Sequence, residues 1–115
     1  MILTYNLNLS IGDVLRKILN GHERTCILVD LEGKLYGSIT EGDLLRAIWN
    51  GISTDSPVDQ CINLNPIVVH HLDKSINEKI VLSFIENGIL LFPVINDEKK
   101  VLKTLSTREV LRGIK

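Results

Sequence analysis

The 115-residue chain carries 13 basic against 14 acidic side chains, interspersed along its length, for a net charge of −1. That balance speaks against a nucleic-acid binder, which needs a basic face to neutralise phosphates, and against a polybasic membrane-surface module. An apolar fraction of 44% with 23% charged residues is that of an ordinary globule with enough chain for a real core. No apolar run is long enough to span a bilayer, and the N-terminal MILTYNLNLS lacks the charged and apolar regions of a signal peptide, so a cytosolic protein is expected.

In chain order, residues 2–5 read as a weak strand. Residues 10–20 read as a helix, with Ile11, Val14, Leu15, Ile18 and Leu19 on one face and Gly21 as its stop. The continuous apolar run 26–29 is expected to be a buried strand. Residues 30–33 (DLEG) form a turn, 35–39 a strand and 40–50 a helix. The stretch 51–66, GISTDSPVDQCINLNP, reads as a linker with a short helical turn at 58–62. The order then recurs: strand 67–69, helix 75–87 stopped by Gly88, strand 90–95, turn 96–99, strand 101–105, helix 106–114.

The recurrence is in the residues themselves. The segment 26–48, CILVDLEGKLYGSITEGDLLRAI, aligns without a gap at an offset of 66 with 92–114, FPVINDEKKVLKTLSTREVLRGI. Such a repeat is one supersecondary unit that cannot bury its apolar face alone. The expected architecture is therefore α/β (α+β): two βαββα units about a pseudo-twofold axis, divided as residues 1–55 and 56–115. A site in one copy predicts a related or degenerate site in the other.

Four helix starts fit S/T-x-x-D/E, the capping-box pattern: Ser10/Asp13, Thr40/Asp43, Ser75/Glu78 and Ser106/Glu109. Capping is a sufficient structural task for Thr40 and Asp43, so a functional role must compete with it. Thr40 and Ser106 differ from the other two in following a strand directly, where a helix N-terminus offers free N–H groups. Gly37, three residues before Thr40, suggests close approach by a ligand or by another backbone. A short acid such as Asp43 can accept two hydroxyl hydrogen bonds, as a ribose diol requires.

The line ILVDLEGKLYGSITEGDLLRAI resembles the end of a CBS domain (cystathionine-β-synthase-type domain, paired into a Bateman module), with its G-apolar-apolar-T-x-x-D phrase. FPVINDEKKVLKTLSTREVL resembles it more loosely. The phrase Thr40-Glu41-Gly42-Asp43-Leu44-Leu45-Arg46-Ala47 and the linker also resemble CBS pairs found beside sugar-phosphate nucleotidyltransferases. The resemblance implies a non-catalytic regulatory module that binds AMP, ADP, ATP or S-adenosylmethionine between the two copies and signals to a partner domain or subunit. It implies a ligand site at Gly37, Ser38, Thr40 and Asp43, with Cys26 and Ile27 flanking the adenine. A degenerate second site is expected at Lys103, Thr104, Ser106, Arg108 and Glu109. There Glu109 is one methylene longer than Asp43 and Lys103 stands where Gly37 does. Two readings stay open beside this one. A ligand-free module would dimerise through the closing helices around Trp49 and Val110. A small enzyme would need an acid/base or nucleophile constellation, and the sequence shows none.

Cys26 and Cys61 have no metal or disulfide spacing and read as packed free thiols. His70 and His71, adjacent on a strand, are expected on opposite faces, and His22 in a loop; no metal site is expected.

Overall fold

A computed structural model describes residues 1–21 and 23–113. The expected loop residue His22 and the expected last helical residue Ile114 lie outside the described residues. The first half runs β1 (Ile2–Thr4), α1 (Ile11–Leu19), β2 (Thr25–Val29), β3 (Leu35–Thr40) and α2 (Glu41–Trp49). The second runs β4 (Val69–His70), α3 (Ile76–Asn87), β5 (Leu91–Ile95), β6 (Val101–Ser106) and α4 (Thr107–Gly113). Each half is a three-stranded sheet with its middle strand parallel to the first and antiparallel to the third. The two βαββα units are those expected from the repeat.

Local chemistry explains the turns. In the first hairpin the Asp30 carboxylate accepts from Glu32 N and Lys34 N at 2.9 Å each, and Gly33 takes φ +80°. In the second, Asn96 Oδ1 accepts from Glu98 N and Lys100 N at 2.9 and 3.0 Å, and Lys99 is held at φ 64° where the first copy has glycine. These hairpins also join the halves. Leu35 N donates to Lys99 O at 2.9 Å and Val101 N to Gly33 O at 3.0 Å, a reciprocal pair across the pseudo-twofold.

Three local expectations need correction. The strand expected at 67–69 is only Val69–His70. In the first copy Ile27 N donates to Met1 O at 2.9 Å. At the position equivalent to Ile27 the second copy has Pro93, which has no N–H to give, so Ile67 is not zipped onto the sheet. Ser75 makes no side-chain cap. The Asp73 carboxylate accepts from Ser75 N at 2.8 Å instead and pulls Ser75 out of the extended cap conformation. Because β4 ends at His70, the His70 and His71 rings are not on opposite faces. They lie 4.7 Å apart, and His70 Nε2 sits 2.7 Å from Asp97 Oδ1. Trp49, placed by the dimer reading among the residues that pair two chains, is 89% exposed.

Each half has its own core. The first gathers Ile11, Val14, Ile18, Cys26, Leu28, Ile39 and Leu44 together with Val58 and Cys61. The second gathers Val69, Ile80, Phe92, Val94 and Val110. The difference comes from the segment between the halves, which is a structural part of the first. Val58–Cys61 forms a 3-10 turn. Ser56 O and Thr54 O accept from Ile11 N and Gly12 N, and Val58 N donates to Leu9 O. The Tyr5 hydroxyl donates to Asp59 at 2.6 Å, which holds the phenol proton well above its usual pKa. The expected division between residues 55 and 56 thus runs through a segment whose Val58 and Cys61 are packed in the first core. In the second half Phe84, equivalent to the fully buried Ile18, remains partly exposed, and Leu82 and Ile85 on α3 are exposed.

Candidate functional site

Strand alternation fixes which side chains reach the space between the halves. On β2, Cys26 and Leu28 point to the helices and enter the first core, while Thr25 and Ile27 point the other way. Thr25 and Ile27 line a cleft of about 540 Å³, within the range of a small-ligand pocket. Ser38 from β3 joins them, with Thr40, Glu41, Gly42 and Leu45 from the start of α2. The opposite wall is Pro66 and Ile67 and the α3–β5 turn from Asn87 to Leu91. Gly88 in that turn adopts φ 67° as the left-handed cap of α3. The cleft therefore combines apolar walls from both halves with hydroxyls from one.

The Thr40 capping box is formed in full. Thr40 Oγ1 accepts from Asp43 N at 3.2 Å and Asp43 Oδ2 accepts from Thr40 N at 3.1 Å. The second carboxylate oxygen of Asp43 takes Arg46 Nη2 at 2.7 Å. Asp43 faces a neighbouring polar recess rather than the cleft. That recess of about 440 Å³ is shared with Arg46, Asn50, Gln60, Cys61 and Asn63. Asn63 borders both spaces, and it does so because residue 63 adds to the edge of β3: Ser38 N donates to Asn63 O at 2.9 Å and Asn63 N to Ser38 O at 2.8 Å.

The expected first site is thus divided. Ile27, Ser38 and Thr40 lie together in the cleft, and Asp43 lies one step away along Asn63. Cys26 does not flank the cleft. It is fully buried on the helix side, and burial pushes its thiol pKa up to about 11. Gly37 does not line the cleft either; the chain that approaches it closely is the 62–63 segment. A Cβ there would meet Ile62 Cγ2 at 2.5 Å and Asn63 O at 2.7 Å. Cys61 is buried beside the recess, its thiol pKa raised by burial and then by the charge of Asp43.

The expected second site does not assemble in the same way. Ser106 and Glu109 form a capping box, with Glu109 N donating to Ser106 Oγ at 3.0 Å and Ser106 N to Glu109 Oε1 at 3.1 Å. The extra methylene of Glu109 is therefore no bar to capping. Lys103, Arg108 and Glu109 are exposed and Thr104 is half-buried, but none of the five lines the cleft. Thr107 is buried and donates its hydroxyl to Ile89 O at 2.8 Å, bracing the wall opposite Thr40.

Sequence reasoning missed Arg24, Glu41, Asn63, Ile67 and Leu90. One signal was present: the offset of 66 maps Arg24 and Thr25 onto Leu90 and Leu91, and all four line the cleft. Among the described residues, no group of three or more potential ligands could hold a metal ion, and no helix is long and apolar enough to cross a membrane.

Comparison with known proteins places this geometry. Residues 2–50 match the family model of the CBS domain. Two uncharacterized Helicobacter pylori proteins, from strains J99 and 26695, are 33% identical over 93 residues, which is 79% of this chain. The chain spans 28% of the length of these curated relatives. A CBS-domain protein of Agrobacterium tumefaciens superposes with a TM-score of 0.80 at 17% identity, covering 98% of this chain and 89% of that one. The CBS domain pair of protein MJ0100, in complex with 5′-methylthioadenosine and S-adenosyl-L-methionine, gives 0.77 at 21% identity, covering 96% and 88%. A CBS domain protein of Pyrobaculum aerophilum complexed with AMP gives 0.76 at 19% identity, covering 93% and 81%.

Proposed function

We propose that this chain, whose residues 2–50 match the CBS domain and whose fold is that of solved CBS domain pairs, is a cytosolic, non-catalytic regulatory module that binds an adenosine-containing ligand in the cleft between its halves. The observation that carries this reading is the cleft itself. Its apolar walls, Ile27 on one side and Ile67, Ile89 and Leu90 on the other, come from both copies, while Ser38 and Thr40 supply hydroxyls at one end. A flat apolar base fits the first and a ribose the second. Asp43 reaches the ribose from the adjoining recess by exchanging its exposed contact with Arg46 for sugar hydroxyls. Solved pairs of the same fold hold AMP, 5′-methylthioadenosine and S-adenosylmethionine, which supports the ligand class.

A ligand bridging both halves shifts their arrangement only by the amount it binds one arrangement better. That is the mechanism by which occupancy passes to a partner. The partner we propose is a nucleotidyltransferase or other enzyme domain or subunit; the curated relatives, of which the chain spans 28%, are long enough to hold a further domain. A thermal-shift panel tests the reading. At a hundredfold excess over Kd, a native-state binder stabilises by about 2.7 kcal/mol, so at least one adenosyl compound should raise the melting temperature by several degrees. No shift with any of AMP, ADP, ATP, adenosine and S-adenosylmethionine would remove the sensor reading.

A second reading is favoured by a separate observation. Trp49 is 89% exposed and Ile85 71%, with Leu82 and Leu111 also exposed, so helices α2, α3 and α4 present apolar side chains outward. These suit a homodimer. Val110, expected at that interface, is instead in the second core. Sedimentation equilibrium with and without ligand separates the two: a scaffold is a dimer indifferent to nucleotides.

A further inference from the structure

The cleft has a charge pattern that the adenosine reading does not require. Among the described residues, the charged side chains lining it are Arg24 and Glu41. They are joined to each other. Arg24 Nε lies 3.3 Å from Glu41 Oε2, and Glu41 N donates to Arg24 O at 2.9 Å. The second contact holds the Arg24 backbone, at φ 54°, against the start of α2, so the two side chains are kept adjacent by the main chain. An exposed ion pair by itself is worth little, but here the pairing is imposed by the backbone. Formal charge in the cleft is therefore balanced without a ligand.

At the end of α2 that opens on the cleft, the acidic side chains of Glu41 and Asp43 in the first turn offset the positive end of the helix dipole. A phosphate monoester brings a charge of about −1.5 to −2 at neutral pH. Glu41 meets Arg24 only at Nε, so a phosphate could reach the Nη groups, but it would then lie beside the Glu41 carboxylate in a site whose apolar walls weaken screening. The basic residues of the second copy give no help, because Lys103 and Arg108 do not line the cleft.

Building on the adenosine reading, we propose that the cleft selects phosphate-free adenosine derivatives: the nucleoside, its neutral 5′-thioethers or its cationic sulfonium form. AMP, ADP and ATP are the disfavoured competitors. The hydroxyls of Ser38 and Thr40 can hydrogen-bond a ribose without calling on a cation.

Calorimetric titration of the full chain at 0.15 M salt tests this, using adenosine, 5′-methylthioadenosine, S-adenosylmethionine, AMP and ATP. The phosphate-free compounds should bind at least about tenfold tighter than AMP and ATP, the scale of one charged hydrogen bond lost or gained. Glu41→Gln releases Arg24 and should raise the ratio of AMP to adenosine affinity about tenfold. Arg24→Gln leaves Glu41 uncompensated and should lower the same ratio. Neither side chain contributes to the capping boxes, and a melting curve of each variant confirms folding before titration. AMP or ATP binding the wild-type protein as tightly as adenosine would overturn the selectivity and leave the adenosine site standing, and so would a ratio unmoved by Glu41→Gln. Failure of all five compounds to bind would overturn the adenosine reading itself, and the selectivity with it.

Discussion

Asp43→Ala should weaken binding of an adenosine ligand by about 1.5–3 kcal/mol, on the order of 10- to 100-fold, the worth of charge-assisted hydrogen bonds to a sugar diol. The same substitution removes the acid of a capping box and its Arg46 partner, and should cost about 1 kcal/mol of stability. The protein contains its own control for separating the two effects. At the start of α1, Ser10 and Asp13 form the same capping box, and Asp13 Oδ1 takes Arg16 Nη2 at 2.7 Å, the distance found between Asp43 and Arg46. Asp13 lines neither the cleft nor the recess. Asp13→Ala should therefore reproduce the loss of stability and leave ligand affinity within about twofold. Equal effects of the two variants on binding would show that Asp43 is a helix cap and nothing more. Asp13 also gives the stability a pH dependence of defined direction. Its hydrogen bonds with Ser10 lower its pKa in the folded state, so the cap's contribution is present above the unfolded carboxylate pKa and lost as pH falls through the folded value.

Gly37→Ala should destabilise the protein by about 1–3 kcal/mol, the usual cost of forcing an extra carbon into a packed site. The added methyl would stand 2.5 Å from Ile62 Cγ2 and 2.7 Å from Asn63 O, and one of these is backbone that cannot rotate away. Relief requires the 62–63 segment to lift from the edge of β3, breaking the paired hydrogen bonds between Ser38 and Asn63. Since Asn63 borders both the cleft and the recess, ligand affinity should fall along with stability. At the equivalent position of the second copy, Lys103→Ala removes an exposed side chain and should change stability by less than about 0.5 kcal/mol. Thermal melts of the two variants read this directly. A Gly37→Ala protein as stable as wild type would mean that the linker is not fixed against β3.

The order of elements was legible because each half announces its helices with caps and its strands with apolar runs, and because the halves corroborate each other at a constant offset. Where the reading went astray, a particular residue explains it. Pro93 cannot hold Ile67, which shortens β4. Asp73 takes the N–H of Ser75 and abolishes the expected cap. Part of the site was also within reach. Cys26 and Ile27 are adjacent on a strand, so both could not face one cleft, and alternation against the helical core selects Ile27. Gly37 marked a close approach, but a glycine does not say whether ligand or chain will come near. That Asp43 turns into a recess beside Asn63, and that Arg24 meets Glu41, depend on contacts between segments far apart in sequence, which no local pattern encodes.

Amide chemical-shift mapping tests most directly whether the cleft between the halves is the ligand site. Adenosine titrated into the isotope-labelled protein should shift the resonances of Thr25, Ile27, Ser38 and Thr40 from one half and Leu90 and Leu91 from the other. Those of Leu82 and Ile85 on the outer face of α3 should stay in place. Shifts confined to α3, or to one half alone, would show that adenosine does not bind in the cleft between the halves.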